Sequence, residues 1–376
     1  MGKWVKKKLG EGLVDRICTG KLDANAMVDG GLYRFYTCAK DYTYIDDYAF
    51  DDEALLISGN GEYVGYVHYY RGKFNAYQRT YVLRGFSIDV KYLQSYLNCF
   101  LRDRIKKEMN AGSIPFIKMG TLTDMYISYP SSLSEQRRIA SILSSADKVI
   151  DSTQKLIAKY KQIKQGMMED LLKPKEGWKK VKFDNFFEML PNNTLSREDL
   201  NSQGGSFQNI HYGDVLIKYP YCLDCNIHEI PYINRDVKFN STKAIDGDVI
   251  FADTAEDDTV GKCVELINVG DRKIVSGLHT YLCRPKFKMS VGYLGYFLNS
   301  NVYHNQLLPY IAGSKVSSVN RKSIAQTYIC FPDLSEQCRI ASILSGIDKK
   351  IESEEKVLEK YKKIKKGLME KLLNCE

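Results

Sequence analysis

The sequence predicts an α+β protein in which two mixed α/β segments alternate with two long helices as an internal repeat. Three observations predict this class. A 40-residue stretch occurs twice, at 133–172 and 334–373, with 26 of 40 positions identical and no gap. Each copy follows a segment in which short runs of β-branched and aromatic residues precede a helical pattern. The chain has 376 residues, 44% of them hydrophobic, which is enough for two domains with separate cores.

The domain boundaries follow from the repeat and from the breaks beside it. We predict a first globular segment at 1–132, a first repeat helix at 133–174, a second globular segment at 175–333 and a second repeat helix at 334–376. Ser134 is a suitable N-cap for the first repeat helix. Pro174 and Gly177 end it, because proline does not continue a helix.

The first segment contains strand and turn signals followed by one helix. Strands are predicted at 33–38, 54–58, 63–70, 79–83 and 123–129. Gly59-Asn60-Gly61 and Arg71-Gly72-Lys73 are predicted turns between them. Apolar residues recur on one side of 89–109, which predicts a helix there.

The second segment repeats the order of the first with different residues. Gly247-Asp248-Val249-Ile250-Phe251 corresponds to Glu53-Ala54-Leu55-Leu56-Ile57. A helix beginning near Ser290 carries Tyr293-Leu294, which lies 201 positions after Tyr92-Leu93. The two segments are therefore expected to share a scaffold and to differ in their loops.

Apolar residues form heptad rows along both repeat helices and predict antiparallel coiled-coil packing between them. The predicted packing residues are Ile139, Ile142, Leu143, Val149, Ile150, Leu156, Ile157, Tyr160, Ile163, Ile340, Ile343, Leu344, Ile347, Ile351, Val357, Leu358, Tyr361 and Ile364. Since each helix leads away from its own domain, an antiparallel pair would separate the domains. The 26 residues of 147–172 span about 39 Å at a rise of ~1.5 Å, close to the ~34–36 Å of one DNA turn. The alternative is a coiled coil that only dimerises or scaffolds.

Composition gives weaker guidance about partners and compartment. The net charge of +8 favours a polyanionic partner, although an ordinary basic protein fits equally well. No run of 18 apolar residues occurs and the N-terminus lacks a signal-peptide pattern, so we expect a cytoplasmic protein without membrane contact. Cys222 and Cys225 form a CxxC with His228 nearby, but a structural zinc site needs four ligands, so we predict no metal.

No pattern typical of catalysis occurs in the sequence. It contains no Pro-Pro pair, no GxSxG and no HExxH, and its three Gly-Lys pairs lack the spacing of a phosphate-binding loop. The acidic run 256–258 is predicted to be a solvated loop rather than a cation site. We therefore predict a binding protein with no catalytic residues.

The repeated Leu-Ser-Glu-Gln-x-Arg-Ile-Ala-Ser-Ile-Leu-Ser at 133–144 and 334–345 carries a family resemblance. Two variable domains, each followed by this helix, resemble the specificity subunit of type I restriction-modification systems. The resemblance implies two target recognition domains that each read one half of a split, asymmetric sequence in double-stranded DNA. It also implies that the paired helices fix the spacer.

The resemblance assigns the chemistry to partners. Two methyltransferase subunits would bind this chain, and motor-nuclease subunits would join the complex. S-adenosylmethionine, ATP and Mg would be held by those subunits, and no cofactor by this chain. A methyltransferase-only system fits equally well. A different class, a coiled-coil adaptor with two protein-binding domains, stays open beside it.

Side chains that contact DNA are expected on loops beside the strands, with Lys and Arg on phosphates and paired hydrogen bonds to base edges. The candidates in the first segment are Tyr69, Tyr70, Arg71, Lys73, Asn75, Tyr77, Gln78, Arg79, Ser113 and Lys118. Those in the second are Lys243, Thr254, Lys262, Arg272, Lys273, Ser276, His279, Ser314, Lys315, Ser317, Asn320 and Arg321. Strand alternation through 75–81 predicts that about half of those residues point into the core.

Overall fold

The computed structural model describes residues 3–108, 115–235, 237–257, 259–313 and 316–373. The chain divides into two compact units. Unit 1 consists of Met1–Lys155 with Lys356–Glu376, and unit 2 of Leu156–Glu355. Each unit therefore contains one globular segment and a part of both repeat helices.

Unit 1 is a twisted sheet with a helix on one face. Before the repeat helix its elements are β1 (Trp4–Lys8), β2 (Val14–Thr19), β3 (Tyr33–Tyr36), β4 (Thr43–Ile45), β5 (Phe50–Ser58), β6 (Val67–Ala76), β7 (Thr80–Phe86), α1 (Val90–Glu108), α2 (Met119–Thr123) and β8 (Tyr126–Pro130). Six strands form one sheet in the order β2-β7-β5-β6-β3-β4, and β1 pairs antiparallel with β8. The repeat helix α3 (Leu133–Leu172) follows directly.

The core of unit 1 lies between this sheet and α1. Leu55, Ile57 and Leu83 of the strands share one cluster with Tyr92 and Leu97 of the helix, whose apolar residues recur every three to four positions. The beginning of α3 and the end of the second repeat helix contribute to the same core, through Ile139, Ala140, Leu143 and Leu373. Both repeat helices are thus anchored in unit 1 by buried apolar side chains.

Unit 2 has more and shorter strands. Its elements are β9 (Lys179–Lys182), α4 (Phe183–Phe186), β10 (Phe187–Leu190), β11 (Leu200–Asn201), β12 (Gln208–Ile210), β13 (Cys222–Asp224), β14 (Tyr232–Ile233), β15 (Val249–Ala252), β16 (Thr254–Ala255), β17 (Cys263–Ile267), β18 (Ile274–Ser276), β19 (Thr280–Pro285), α5 (Tyr293–Leu298), α6 (Asn301–Leu307), β20 (Ser317–Ser318), α7 (Arg321–Ile324), β21 (Tyr328–Phe331) and the repeat helix α8 (Leu334–Leu373). A five-stranded sheet β10-β19-β15-β17-β13 lies beside a four-stranded sheet β11-β14-β12-β18 and the pairs β16-β20 and β21-β9.

A buried glutamine holds the start of each repeat helix in the same way. The Nε2 group of Gln136 donates to the Pro130 carbonyl at 2.7 Å, and its Oε1 accepts from the Asp89 N–H at 2.7 Å. Gln337 makes the matching bonds to the Pro332 carbonyl at 2.8 Å and the Ser290 N–H at 2.9 Å. The glutamine of the repeated motif therefore has a structural role in both units.

The two repeat helices begin where predicted, at Leu133 and Leu334, and α3 ends two residues before the predicted boundary at 174. The prediction of Ser134 as the N-cap is wrong, because Ser134 lies inside α3, and not all of the predicted packing is observed. Ile139, Leu143, Ile340 and Leu344 are buried in the globular cores rather than along the helices. Ile157 and Ile351 are buried farther along. Ten of the predicted packing residues are half-buried: Ile142, Val149, Ile150, Leu156, Tyr160, Ile343, Ile347, Val357, Leu358 and Tyr361. Ile163 and Ile364 are 39% and 43% exposed, so the prediction that they pack inside this chain is wrong.

One ion pair of the repeat helices occurs once in each unit. The Lys365 ammonium contacts the Asp147 carboxylate in unit 1. In unit 2 the Lys164 ammonium lies 2.7 Å from the Asp348 carboxylate. Both residues of the second pair are displaced by 201 positions from those of the first, so the two pairs are copies of each other.

The structure corrects two turn and helix predictions. Arg71-Gly72-Lys73 is not a turn but lies within β6, where Gly72 adopts φ +131°, a conformation available to glycine. The chain turns earlier, at Gly61 and Gly65, so β6 begins at Val67 rather than at residue 63. The helix predicted near Ser290 is two short helices, α5 and α6, because Ser300 starts a new one by accepting a hydrogen bond from the Tyr303 N–H.

Candidate nucleic-acid interface

The face of the unit 1 sheet opposite α1 carries a small apolar cluster under polar aromatic side chains. The six buried residues of this cluster all come from strands: Tyr36, Ala54, Leu56, Phe74, Ala76 and Val82. Because side chains alternate along a strand, Leu55 and Ile57 face α1 while Ala54 and Leu56 face the other way. We call this second side the open face of unit 1.

The open face carries a cluster of tyrosine side chains. The tyrosine patch consists of Tyr36, Tyr42, Tyr44, Tyr66 and Tyr70. The ring centroids of Tyr42 and Tyr44 are 5.6 Å apart, and those of Tyr36 and Tyr42 5.8 Å. Tyr42, Tyr44 and Tyr66 are exposed, so the patch offers hydroxyl groups and ring faces to solvent.

His68 and Arg34 complete the patch. The His68 ring lies between Tyr36 and Tyr66, at 5.1 and 4.7 Å between centroids. Burial lowers the pKa of His68, and its Nε2 lies 3.0 Å from the Ala39 carbonyl, so we assign the N–H donor to Nε2. The Arg34 guanidinium lies over the rings of Tyr42 and Tyr70. The open face therefore combines aromatic rings with a positive charge, as nucleic-acid-binding surfaces do.

Most predicted contact residues of unit 1 reach solvent. Arg71, Lys73, Gln78, Arg79 and Lys118 are exposed, and Tyr69, Tyr70 and Tyr77 are half-buried. Arg71 and Lys73 lie opposite Glu53 and Asp51 of β5, which reduces the local positive charge. The Lys73 ammonium lies 4.5 Å from the centroid of Tyr48.

Several predicted residues of unit 1 are engaged inside the unit. The Tyr69 hydroxyl donates to Glu53 at 2.8 Å on the α1 side of the sheet, and the Gln78 amide donates to Asp23 at 2.7 Å. Asn75 is buried, with its amide donating to the Asp47 carbonyl and its oxygen accepting from the Ala76 N–H. Its prediction as a surface contact is wrong, because both polar ends are used within the sheet. Ser113 lies outside the described residues.

In unit 2 two predicted lysines flank an aromatic groove. The ammonium groups of Lys243 and Lys273 lie 5.8 and 5.5 Å from the centroid of Phe207, and both lysines are exposed. Phe207 packs edge-to-face on Phe239 at 5.1 Å. These rings line a groove of about 640 Å³ together with Gly205, Ser206, Ile233, Asn234, Arg235 and Val237. Basic groups above aromatic rings again form a surface suited to a nucleic acid.

A second group of predicted residues in unit 2 surrounds His279. The His279 Nδ1 lies 3.3 Å from Asp253 Oδ1 and 3.4 Å from the Thr254 hydroxyl. His279 has φ 53°, which is uncommon for a residue other than glycine and is found preferentially at functional positions. Thr254 pairs with Ser318, next to the predicted Ser317. Thr254, His279 and Ser317 are thus brought together at the β16-β20 pair.

Asn320 and Arg321 follow that strand pair. Asn320 caps α7 by accepting from the Ser323 N–H at 2.9 Å. The Arg321 guanidinium lies 5.1 Å from the Tyr281 ring and donates to Asn192 at 3.4 Å. Both residues are exposed, so each retains surface for a ligand.

The remaining predicted residues of unit 2 are less accessible. Lys262 is half-buried and donates to the Leu216 carbonyl at 2.6 Å, and burial lowers the pKa of its ammonium. Arg272 is exposed but donates to the Asn268 and Val269 carbonyls of its own turn. Ser276 is buried and hydrogen-bonded to Thr280, so its prediction as a contact residue is wrong. Ser314 and Lys315 lie outside the described residues.

The cysteine pair makes separate contacts. The Sγ of Cys222 donates to the Gly292 carbonyl and that of Cys225 to the Leu223 carbonyl, and burial raises the pKa of the Cys225 thiol to about 11. Among the residues that the structure describes, no group of three or more His, Cys, Asp or Glu is placed to hold a metal ion. Within the same residues, no helix has both the length and the apolar character needed to cross a bilayer.

Sequence reasoning missed the residues that the folding of unit 1 gathers from separate segments. Arg34, Tyr42, Tyr44, Tyr66 and His68 were not among the predicted contacts. The available signal was the density of tyrosine at 42–48, where Tyr42, Tyr44 and Tyr48 occur within seven residues. In unit 2 the missed residues are Phe207, Arg235 and Phe239 of the groove, and Tyr212, whose ring centroid lies 5.5 Å from that of His279. Their proximity depends on pairing between strands that are distant in sequence.

Comparison with known proteins follows the same division into two domains. The family profile described as the type I restriction modification DNA specificity domain matches residues 1–162 and 175–363. The chain is 41% identical over 163 residues to the type I restriction enzyme EcoDI specificity subunit of Escherichia coli, covering 43% of this chain and 35% of that protein. It is 25% identical over 332 residues to a protein described as the type I restriction enzyme MjaX specificity subunit of Methanocaldococcus jannaschii. That alignment covers 81% of this chain and 68% of the other protein.

A solved structure supports the fold. The type I restriction-modification system S subunit from M. genitalium superposes with a TM-score of 0.64 at 15% identity, covering 100% of this chain and 97% of that one. The chain spans only about a third of the length of the E. coli relative.

These features define a mixed α/β protein with two copies of one specificity domain, each followed by a copy of the same helix. The two matches cover most of the chain. The chain belongs to the DNA specificity family of type I restriction-modification systems.

Proposed function

We propose that this chain selects a two-part, asymmetric DNA sequence and directs adenine methyltransferase and restriction subunits to it. One observation carries the proposal. The strands β2-β7-β5-β6-β3 of unit 1 and β10-β19-β15-β17-β13 of unit 2 have the same pattern of antiparallel and parallel neighbours, and each segment is followed by the same helix, but the two units present different exposed groups. Unit 1 offers the tyrosine patch, and unit 2 offers the Phe207 groove and the His279 group. Two similar domains that present different surfaces are suited to recognising two different DNA half-sites.

The repeat helices are proposed to pair antiparallel and to set the spacer between the half-sites. The duplicated pair Asp147–Lys365 and Asp348–Lys164 supports this arrangement, because residue numbers rise on one helix as they fall on the other. The Lys161 ammonium, 2.8 Å from Glu355, follows the same order in unit 2. Ile157 and Ile351 are buried, as apolar packing along such a pair requires.

Exposed residues that are identical in both repeats support a partner that binds twice. Ile163 and Ile364 occupy the same repeat position, and Gly166 and Gly367 follow one turn later. A methyl group at either glycine would meet no atom within 4 Å, so packing inside the chain does not explain them. Glycine beside an exposed isoleucine allows a helix to approach closely. We therefore propose that one methyltransferase subunit binds each of these two surfaces.

The chemistry of the complex is assigned to those partners. S-adenosylmethionine, ATP and Mg would be bound by the methyltransferase and motor-nuclease subunits, and no cofactor by this chain. The chain's own task is to orient the complex on a chosen sequence through contacts to base edges and phosphates.

Mapping of methylated adenines tests this function. Cells that express the cognate methyltransferase with this chain should acquire methylation within one two-part motif, and cells with the methyltransferase alone should not. A chain with Arg71→Ala and Lys73→Ala should bind DNA more weakly and with a smaller salt slope if phosphates are contacted. Methylation that is identical with and without the chain would refute the proposal.

The docking surfaces can be tested by the mass of the complex. Ile163→Glu should leave one methyltransferase per chain, and Ile163→Glu with Ile364→Glu should leave none, because a buried charge opposes packing. Gln165→Glu is the matched control, since Gln165 is exposed and differs from Lys366 in the other copy. A double variant that still binds two methyltransferase subunits would exclude these surfaces.

A further inference from the structure

Two aromatic rings hold the Arg34 side chain on the open face of unit 1. Its guanidinium carbon lies 4.2 Å from the ring centroid of Tyr42 and 4.5 Å from that of Tyr70. Its Nη1 group donates to the Tyr36 hydroxyl at 3.4 Å. Arg34 is half-buried in β3, where Tyr44 pairs with it across the strand. Contacts with two rings and one hydroxyl restrict the motion of the guanidinium.

Arg34 differs from Arg84, another arginine of this face, in its lack of a carboxylate partner among the described residues. Arg84 pairs across β5 with Ala54, lies 5.0 Å from the Phe50 ring and donates to Asp52 at 2.5 Å. For Arg34, the described residues supply the Tyr36 hydroxyl as the hydrogen-bond partner and no carboxylate. A guanidinium has five N–H donors. The charge and most N–H donors of Arg34 are therefore available to a ligand. The ion pair with Asp52, in contrast, gives Arg84 a structural role within unit 1.

The chemistry of a restrained guanidinium favours a base edge over a phosphate. Paired N–H donors in a fixed plane match O6 and N7 of guanine in the major groove, the commonest specific contact of arginine. A phosphate is bound as well by a mobile side chain, such as the exposed Arg71 or Lys73. The stacking on Tyr42 and Tyr70 would be unnecessary for phosphate binding but provides the orientation that base reading requires.

We infer that Arg34, oriented by Tyr42, Tyr70 and Tyr36, reads one guanine in the half-site recognised by unit 1. This inference rests on the proposed function, because it names a specificity residue of the DNA-reading surface. The Tyr42 and Tyr70 rings act as positioning groups, and the exposed Tyr44 stands beside them at the rim.

Selection from a random pool of duplex DNA tests the inference. The full chain would be assembled with its cognate methyltransferase subunit, as wild type and as Arg34→Lys, Arg34→Gln, Tyr42→Ala, Tyr42→Phe and Arg84→Lys. Arg34→Lys keeps the charge but loses the planar fork, so preference for guanine at one position should fall about tenfold to a hundredfold. Preferences at other positions should remain. Tyr42→Ala should weaken the same preference, while Tyr42→Phe and Arg84→Lys should retain it.

The outcomes separate this inference from the proposed function. No enriched motif with the wild-type complex would refute the function itself. An enriched motif that is unchanged by Arg34→Lys and Arg34→Gln would overturn the role of Arg34 and leave the function intact. A uniform loss of affinity with a reduced salt slope would identify a phosphate contact and also overturn it. Thermal unfolding would show whether Arg34→Gln folds; if it does not, Arg34→Lys and Tyr42→Ala decide the question.

Discussion

The buried side chain of Glu265 in β17 links the five-stranded sheet of unit 2 to α5. Its Oε1 accepts from the Gly292 N–H and its Oε2 from the Gly295 N–H, both at 2.7 Å, at the beginning of α5. The residue is 1% exposed. Burial raises the pKa of its carboxyl to about 7, although backbone N–H groups of Gly292, Leu294 and Gly295 oppose the shift. A buried acid therefore fastens α5 to the five-stranded sheet.

The raised pKa of Glu265 predicts that stability falls as pH rises. The folded carboxyl keeps its proton up to about pH 7, whereas the unfolded one releases it near its ordinary pKa of 4.5. This contribution is fully present below the unfolded value and is lost as pH rises to the folded one, about 2–3 kcal/mol between pH ~5 and pH ~8. Urea unfolding of the wild type and of Glu265→Gln at both pH values measures it. The free energy of unfolding of the wild type, relative to that of Glu265→Gln, should be lower at pH ~8 than at pH ~5 by that amount. The same relative value at both pH values would contradict the prediction.

Residue roles were the least predictable feature of this sequence. Turn signals directed attention to Arg71 and Lys73, which lie within β6 opposite acidic residues. Arg34 lies in a short strand that resembles any other in sequence, and only the pairing of β3 with β4 and β6 brings it to Tyr42 and Tyr70. Asn75 and Ser276 look like surface polar residues because the sequence does not show which strand face is buried.

Each repeat helix contains, at the same repeat position, a glycine that no contact inside the chain explains. Gly166 and Gly367 lie inside α3 and α8, where glycine destabilises a helix. Open space surrounds both positions. Their presence in both copies fits the proposed contact with a partner helix.

Alanine at these positions should stabilise the isolated chain. Gly166→Ala and Gly367→Ala should each raise the free energy of unfolding by about 0.5–1 kcal/mol, because alanine restricts the unfolded chain and clashes with nothing here. Gly295→Ala in α5 is the control and should destabilise, since its added carbon would lie 2.4 Å from the Tyr221 carbonyl oxygen. Denaturation by urea compares the three variants. A loss of stability in Gly166→Ala would show an internal contact that the structure lacks.

Elements differed in how far the sequence determined them. The ends of α3 and α8 follow from proline, capping residues and sustained apolar periodicity, all of which are local. Both helices begin at the predicted Leu133 and Leu334, and α3 ends at Leu172, two residues before its predicted boundary. The two-residue strands of unit 2, such as β14 and β16, depend on partners far along the chain. The split of the helix near Ser290 depended on one cap, Ser300.

For the whole molecule, the duplicated helix was the strongest predictor, because self-similarity at 201 positions is independent of the loops. It gave the order of two domains and two helices, and the family profile matches both halves. The identity of the target bases belongs to the loops, which differ between the halves. The proposed spacer role of the helices is therefore the feature to test at this scale.

Lengthening both repeat helices should change the spacing that is recognised. Insertion of seven residues at matched points of α3 and α8 keeps the heptad pattern and adds about 10 Å at a rise of ~1.5 Å per residue. The variant should lose recognition of the native spacing, because its domains would no longer meet the same two groove segments. Binding to duplexes with varied spacers provides the measurement. Equal affinity of the variant and the wild type for the native site would reject the spacer role.

Two-part recognition is tested most directly by selection of sequences from random duplex DNA by the wild-type chain assembled with its methyltransferase subunit. We expect two short, unlike blocks of constant sequence separated by a gap of fixed length and free composition. A single continuous block, or a pool in which no sequence is enriched, would contradict two-part recognition.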